Sequence, residues 1–350
     1  MTTAERPAAL PPLAPSGPGE WTARRDADIR AVLADPRLTV PPPGPGGPPG
    51  TVSWLRASVS RFANGAEHRG RRALVEAELG PLDPGALRAA AHELALDQLA
   101  RCGRPGDRAD VMSLLARRVP VAALAAQLGL ADPLRAAAAV TAVAACYFPG
   151  SGAGLEQRAD AEIAWLVAAL RPASPDVTVA RIAVMVQACD ATAGLIGTAL
   201  HLLQDRDGGE HPAGESWPTE ALLAEALRRR PPASRFRRVA SAPAEVGGQH
   251  VAAGDRVVCD VDAAGRDPQA APPGQAAPPG AAAPHGSGPA AAGLAFGAGI
   301  RPCPGPYQAL ALAAAVIDAV RERCVLQPGT PVTYEAAPTR VPERLEVVLR

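Results

Sequence analysis

The sequence predicts a mainly α-helical protein with a small β region. Apolar residues recur at helical spacing through most of residues 51–230, and aromatic residues make up only 3% of the chain, so the core must consist mostly of Ala, Leu and Val on helices. The helical segments are expected near 66–79, 84–101, 108–128, 133–147, 154–170, 177–203 and 219–230. A helix at about 306–321 follows, while two short strands in 245–261 and a strand-like tail supply the β region.

The Pro- and Gly-rich stretches indicate where regular structure stops. Residues 1–20 are rich in Pro and are predicted to be mobile, and 21–40 is predicted as a short strand and then a helix. The stretches 41–50 and 269–293 are predicted to be open coil. We therefore expect a single domain over 21–350, with the second coil inside it.

Charge and cysteine usage exclude several classes of protein. The formal net charge is zero, which gives no reason to expect a nucleic-acid or membrane partner. All basic residues are Arg, so no single Arg is by itself a strong functional signal. The six cysteines are widely spaced without a CxxC pair, which predicts reduced thiols in a cytoplasmic protein rather than a disulfide scaffold or zinc site. No basic stretch followed by an apolar run opens the chain, so no secretory signal is expected.

The segment 177–203 is apolar almost all round, which is typical of a helix buried at the centre of a domain. Arg181, Gln187 and Asp190 interrupt it and argue against a membrane span. Asp190 lies near the midpoint, in QACDAT (187–192). Burying this carboxylate costs free energy unless it is paired or faces a wet cavity.

A constrained cysteine loop, FGAGIRPCPG (296–305), precedes the helix expected at 306–321. Its three glycines allow tight turns, and prolines stiffen the loop on either side of Cys303. A thiolate next to a helix N-terminus is stabilised by unpaired backbone N–H groups, and a rigid thiolate facing a flat cofactor is what haem-thiolate ligation requires. The alternative is a buried structural cysteine before a helix.

The spacing of Phe296, Gly297, Arg301, Cys303 and Gly305 resembles the cysteine-ligand loop of the cytochrome P-450 family. The resemblance implies a cytochrome P-450-like fold, with 177–203 as its long central helix. It implies haem b held through the Cys303 thiolate, with O2 as co-substrate. Arg301 would pair with a haem propionate, and Phe296, Gly297 and Gly305 would complete the cofactor-binding loop.

Two further segments resemble propionate-binding parts of that family. RFRRVA (235–240) matches through Arg238, and NGAEHRGRRALV (64–75) resembles the HxxxR helix through His68 and Arg72. Two donor side chains one helical turn apart can bind one carboxylate, although alone this helix would be interpreted as a solvated basic face.

EALRRRPP (225–232) contains Glu225 and Arg228, one turn apart. Alone, such a spacing most often marks a surface ion pair. Followed by two prolines and a hairpin, it resembles the structural Glu–Arg pair of the family, so we assign it a role in folding. The customary Pro-x-Arg-Phe segment is absent, so the pair lacks its usual third Arg. The first helix and opening sheet of the family are also expected to be largely missing.

QACDAT resembles the oxygen-activating stretch of the family, in which an acid is followed by Thr. Asp190 is the acid, Ala191 replaces the usual Thr, and Thr192 follows. Asp190 and Thr192 are thus the candidate catalytic residues for proton delivery. With Ala191, the substrate could supply the hydroxyl, Thr192 or water could replace it, or the reaction could be oxidative coupling. Alternatively, the Thr192 hydroxyl could bond back to a helix carbonyl.

The resemblance implies a haem-thiolate monooxygenase or oxidase of secondary metabolism, acting on a small or carrier-bound metabolite. Electrons would come from a ferredoxin- or flavodoxin-type donor that docks near His68, Arg72 and the cysteine loop. A phenol- or peptide-coupling oxidase is the alternative within the family. A degenerate, non-catalytic haem protein and a helical binding module without haem are alternatives from other classes.

Overall fold

A computed structural model of the chain describes residues 10–150, 152–204, 217–270, 292–327, 331–335 and 338–350. All but the ends of the predicted coil at 269–293 lies outside the described residues. The chain divides into two compact units, the first Met1–Pro41 with Leu227–Cys303 and the second Pro42–Ala226 with Pro304–Arg350. Because each unit combines two separated stretches, the division does not cut the sequence into consecutive domains, and one domain over 21–350 stays a prediction.

The described residues form ten strands and eleven helices, which confirms the predicted mainly α class with a small β region. The strands are β1 (Ala14–Gly17), β2 (Glu20–Ala23), β3 (Leu38–Thr39), β4 (Arg108–Asp110), β5 (Arg235–Ala240), β6 (Ala244–Val246), β7 (Gln249–Val251), β8 (Arg256–Asp260), β9 (Cys324–Leu326) and β10 (Glu346–Leu349). The helices are α1 (Asp26–Ala34), α2 (Val52–Ser58), α3 (Gly65–Leu79), α4 (Pro84–Cys102), α5 (Val119–Gln127), α6 (Pro133–Ala144), α7 (Ala153–Ala169), α8 (Pro175–Gln204), α9 (Thr219–Arg229), α10 (Val261–Ala264) and α11 (Pro306–Arg323).

The first unit is organised on a five-stranded sheet in the order β1-β2-β8-β5-β3. Strands β1 and β2 form an antiparallel hairpin, and β2 runs parallel to β8. Two expectations are therefore wrong: the opening sheet is present, and ordered structure begins inside the segment 1–20. The prolines of this segment are misleading because an edge strand such as β1 tolerates Pro, which needs no ladder hydrogen bond on its outer side.

Helix α1 packs against this sheet. The Asp267 carboxylate accepts a hydrogen bond from the Asp26 amide at 2.9 Å and so satisfies a donor at the start of α1. The region 245–261 holds a β6–β7 hairpin followed by β8, three strands where two were predicted. The core of the unit includes Ile29 and Val32 of α1 and Val257 of β8, all with no exposed surface.

The described part of the second unit is mostly helical, with α8 at its centre. Helix α8 packs against α3, α5, α6 and α11, while α4 packs along α11. All the predicted helices of this unit except the one at 108–128 are confirmed to within a few residues. Over 108–128 the chain instead forms β4, a single π-helical turn at Met112–Ala116 and α5.

The Asp110 side chain explains the break in that segment. Its carboxylate accepts from the amides of Met112 at 3.1 Å and Leu345 at 3.0 Å, which holds β4 beside the C-terminal strand β10. Strands β4, β10 and β9 together form a three-stranded sheet. Apolar periodicity alone could not reveal this strand, because hydrogen bonds from backbone amides to the Asp110 side chain hold it in place.

Helix α8 is long and apolar enough by composition to cross a membrane. However, 72% of its most apolar stretch of 18 residues is buried inside the protein. This burial is typical of a core helix. Gly197 allows one close contact on α8: a Cβ at this position would lie 2.6 Å from Pro342 Cγ and 2.8 Å from Met112 Sδ. The segment around Pro342 can therefore approach the helix backbone only while residue 197 has no side chain.

We expect Gly197→Ala to destabilise the protein by about 1–3 kcal/mol, because the added methyl overpacks the contact with Pro342. Gly70→Ala is the matched control: it lies inside helix α3 with nothing within 4 Å of the position that the added methyl would take, so it should stabilise by about 0.5–1 kcal/mol. Urea unfolding of the two variants measures both changes. Equal effects of the two substitutions would contradict the close approach at Gly197.

Candidate functional site

The cysteine loop of the first unit is closed by backbone hydrogen bonds. The Cys303 amide donates to the Phe296 carbonyl oxygen at 2.7 Å, and the Ile300 amide donates to the Leu33 carbonyl oxygen at 3.0 Å. Gly297 and Gly299 have φ values of +71° and +63°. A Cβ on Gly299 would lie 2.3 Å from the Leu33 oxygen, so only Gly allows the loop to lie against the end of α1.

Cys303 differs from the other cysteines in its surroundings. All six lie in the described part of the chain and carry thiols rather than disulfides. Burial raises the pKa of the Cys189 and Cys259 thiols to about 12 and that of Cys324 to about 11, which keeps them protonated. Cys303 is partly exposed and precedes the first residue of α11 by three positions, where helix N–H groups favour a thiolate.

Two arginines of the first unit are predicted to bind carboxylates. Arg238 lies on β5 and is 7% exposed, and its Nη1 donates to the neighbouring Arg237 carbonyl oxygen at 2.9 Å. Arg301 is half-buried inside the cysteine loop. Guanidinium groups are suited to this role because they donate to both oxygens of a carboxylate.

His68 and Arg72 lie one turn apart on α3 in the second unit. His68 is 5% exposed, whereas the Arg72 Nε donates to Glu76 Oε1 at 2.7 Å. The Glu76 side chain is 55% exposed, and ion pairs of this kind contribute less than about 1 kcal/mol. Arg72 can therefore exchange this partner for another carboxylate at little cost.

The middle of α8 opens on one side. Gln187, Ala188, Asp190 and Ala191 are each partly exposed, while 182–186 and 192–200 are buried. At 100° per residue these four positions share one side of the helix. The prediction that Asp190 faces a wet cavity or a partner is consistent with its position on this partly exposed side.

Thr192 lies outside this opening. It is 1% exposed, and its hydroxyl has no hydrogen-bond partner among the residues that the structure describes. The expectation of a bond back to a helix carbonyl is therefore wrong for Thr192, although Thr141 makes such a bond to the Ala137 oxygen at 2.8 Å. The burial of Thr192 also separates it from the open side at Ala191, which disfavours the alternative that Thr192 replaces the missing hydroxyl.

Two residues that no sequence pattern predicts lie beside the Asp190 carboxylate. Arg117 contacts Asp190, and Glu335 contacts Arg117. Arg117 Nε lies 3.5 Å from Asp190 Oδ1, and Arg117 Nη2 lies 2.5 Å from Glu335 Oε1. Burial raises the pKa of Asp190, an effect that Arg117 opposes and Glu335 reinforces. No sequence signal distinguishes Arg117 in a chain whose basic residues are all Arg.

Glu225 and Arg228 lie on α9 at the predicted spacing of one turn. Gly265, in the segment after β8, allows a close approach of two parts of the backbone. A Cβ on Gly265 would lie 2.3 Å from the Arg228 carbonyl oxygen, so the end of α10 can approach Arg228 only without a side chain.

Comparison with known proteins gives one sequence match and many structural ones. The family model described as cytochrome P450 matches residues 218–312, which include α9, strands β5 to β8 and the cysteine loop. No curated protein matches the chain by sequence.

Among solved structures, the chain resembles P450BioI in complex with an acyl carrier protein ligated to hexadec-9Z-enoic acid. The two share 18% identity at a TM-score of 0.70, over 94% of this chain and 92% of that one. CalO2 shares 22% sequence identity with the chain at a TM-score of 0.71, over 94% of this chain and 90% of that one. CYP109E1 from Bacillus megaterium, in complex with testosterone, shares 16% sequence identity at a TM-score of 0.70, over 96% of this chain and 94% of that one. These likenesses confirm the fold predicted from the sequence.

Gly299→Ala should destabilise the protein more than Gly293→Ala. Both glycines have positive φ, so each substitution carries a conformational cost of about 1–2 kcal/mol. Only at 299 would the methyl also meet the backbone of Leu33 and Ala34, since nothing lies within 4 Å of a methyl at 293. The difference between the two urea midpoints isolates the steric contact, and equal midpoints would rule it out.

Proposed function

We propose that the chain, whose residues 218–312 match the cytochrome P450 family model and whose fold resembles that of solved P450 structures, is a haem-thiolate monooxygenase that oxidises a small or carrier-bound metabolite in secondary metabolism. The observation that carries the proposal is the partly exposed Cys303, in a loop closed by its own backbone just before α11. The degenerate haem protein and the haem-free binding module are not favoured by any feature of this loop.

The residues present suit a haem group. Cys303 offers a soft sulfur donor, and Gly297 and Gly299 keep the loop backbone free of side chains. Arg238, Arg301, His68 and Arg72 are donors of the kind suited to propionates. In this proposal Cys303 ligates the iron, these four residues bind the propionates, and Phe296, Gly297 and Gly305 complete the loop. When bound, the haem supplies the redox chemistry with O2.

The part of α8 around Asp190 is proposed to supply protons. Asp190 is partly exposed and close to a cation, so it can hold a proton and exchange it with water. Ala191 offers no hydroxyl, and the buried Thr192 is turned away from the open side of the helix. A water molecule or a hydroxyl of the substrate would therefore complete the path from Asp190.

The nature of the substrate is proposed from the similar structures. P450BioI was crystallised with a loaded acyl carrier protein, which supports a carrier-bound substrate, and CYP109E1 with testosterone, which supports a small apolar one. Electrons would come from a separate ferredoxin- or flavodoxin-type donor, docking near the basic helix α3. We place the protein in the cytoplasm, with neither a nucleic acid nor a membrane as partner.

A second candidate reaction within the same family is oxidative phenol or peptide coupling. The observation that favours it is Ala191 on the open side of α8, where the family usually has Thr. Coupling joins two carbon or oxygen centres of the substrate and leaves no oxygen atom from O2 in the product.

Replacing Cys303 by Ser should abolish the red-shifted Soret band that marks thiolate ligation in the reduced, carbon monoxide-treated protein, because an alcohol is a poor iron ligand. Cys102→Ser is the control, since Cys102 is an exposed thiol at the end of α4. The control should keep the band of the wild type. An unchanged spectrum for C303S would sink the proposed function.

Ala191→Thr separates monooxygenation from coupling. For a monooxygenase, the added hydroxyl should raise the yield of product per electron consumed, and the product should contain label from heavy-oxygen O2. For a coupling enzyme, wild type and A191T should both give a product without label. Mass spectrometry of the product under labelled O2 measures the difference.

A further inference from the structure

The Asp190 carboxylate, the Arg117 guanidinium and the Glu335 carboxylate form a connected group in the second unit. Asp190 lies at the midpoint of α8, Arg117 follows the π-helical turn at Met112–Ala116, and Glu335 lies in the C-terminal segment. Their side chains are 27%, 17% and 34% exposed, so the group is partly shielded from water. Shielding strengthens the influence of each charge on the other two.

The guanidinium is shared unequally. Arg117 Nη2 lies 2.5 Å from Glu335, the distance of a charge-assisted hydrogen bond, whereas Arg117 Nε lies 3.5 Å from Asp190, which is too long for a good one. Glu335 therefore holds the cation more tightly. With all three groups ionised the group carries one excess negative charge, and Asp190 is the carboxylate that is less well compensated.

The C-terminal segment is anchored to α8 at other points, which fixes where Glu335 lies. The Glu335 amide donates to the Val341 carbonyl oxygen at 2.9 Å, and the Tyr334 hydroxyl lies 2.8 Å from His201 Nδ1 on α8. Gly197, also on α8, allows the close approach of Pro342. The position of Glu335 is thus determined by packing and not only by its contact with Arg117.

Burial and one neighbouring charge favour the protonated form of Asp190, and the other neighbouring charge opposes it. Burial raises the pKa of Asp190, Glu335 raises it further, and Arg117 lowers it. The neighbouring Cys189 thiol has a pKa of about 12 and so carries no charge at neutral pH. Thr141 of α6, which contacts the Cys189 sulfur, is also uncharged. Among the residues that the structure describes, Arg117 and Glu335 are therefore the charged groups that act on Asp190 from other elements.

We propose that Arg117 and Glu335 are positioning residues that jointly set the proton affinity of Asp190, with Glu335 keeping Arg117 from binding Asp190 in a closed ion pair. This inference rests on the proposed function, in which Asp190 passes protons to the reacting oxygen. In each cycle the carboxyl releases one proton toward the open side of α8 and regains one from water. A closed ion pair with Arg117 would oppose the second step.

The test compares the charge-removing variants Glu335→Gln and Arg117→Gln in the haem-loaded protein. E335Q removes a negative charge and releases Arg117 toward Asp190, so the pKa of Asp190 should fall. R117Q removes the positive charge, so this pKa should rise. Matched controls are Glu343→Gln, in the same C-terminal segment, and Arg118→Gln, the next residue along the chain; neither should move it.

The first readout needs no turnover. Infrared difference spectra between each protein and the same protein carrying Asp190→Asn isolate the Asp190 carboxyl, and a pH series gives its titration midpoint. The midpoint should move to lower pH in E335Q and to higher pH in R117Q. Unchanged midpoints in both variants, or shifts in the same direction, would overturn the inference even if the enzyme oxidises its substrate normally.

The second readout is the pH profile of product formed per electron consumed. A proton donor acts in its protonated form, so this yield should fall as pH rises through the pKa of Asp190. The fall should begin at lower pH in E335Q and at higher pH in R117Q. A purely structural role would lower activity without opposite displacements of the profile.

The two readouts separate the inference from the proposed function. Opposite infrared shifts without any oxidation would support the positioning role while contradicting the function. If R117Q does not fold, E335Q decides alone: a lower midpoint supports the proposal, and an unchanged one overturns it.

Discussion

The structure depends first on a backbone contact: the loop that carries Cys303 lies against the end of α1 because residue 299 has no side chain. The Cys303 amide is held by Phe296 and the Ile300 amide by Leu33, so the thiol projects from a rigid frame. A metal ligand on such a frame loses little conformational entropy when it binds. This rigidity makes a partly exposed thiol, next to a helix start, suitable for a large flat cofactor.

A second constraint acts on α8. The helix must be apolar to pack in the core, and yet it carries the polar residue Asp190 at its midpoint. The helix satisfies both needs by opening at four positions near its middle, with Asp190 among them. Burying Asp190 without compensation would cost several kcal/mol. The positive charge of the nearby Arg117 reduces this cost. Because Arg117 also binds Glu335, it offsets the charge of Asp190 only in part. The C-terminal segment that supplies Glu335 reaches α8 through the contact at Gly197, so a packing feature and the electrostatics of Asp190 are linked.

The parts of the site that could be predicted are those with short-range patterns. Cys303 and its glycines lie within ten residues, and Asp190 interrupts a long apolar run, so both are visible in the sequence. Glu225 and Arg228 are one helical turn apart, so their place on one helix is visible too. Arg117 and Glu335 could not be found, because they meet across more than two hundred residues and have no spacing of their own. The partnerless hydroxyl of Thr192 was likewise invisible, since burial depends on neighbours distant in the chain.

The sequence alone determined most of the helices and the buried character of α8, and it pointed to Cys303 as the candidate ligand. These properties follow from local periodicity, from backbone conformations that only Gly adopts, and from a motif confined to one loop. Only the tertiary structure decided that the Pro-rich N-terminal region enters a sheet, that 108–128 is broken by a strand, and which charges act on Asp190. The physical reason is that strand pairing, burial and ion pairing join residues far apart in the chain, and their free energies depend on distances that no local pattern contains.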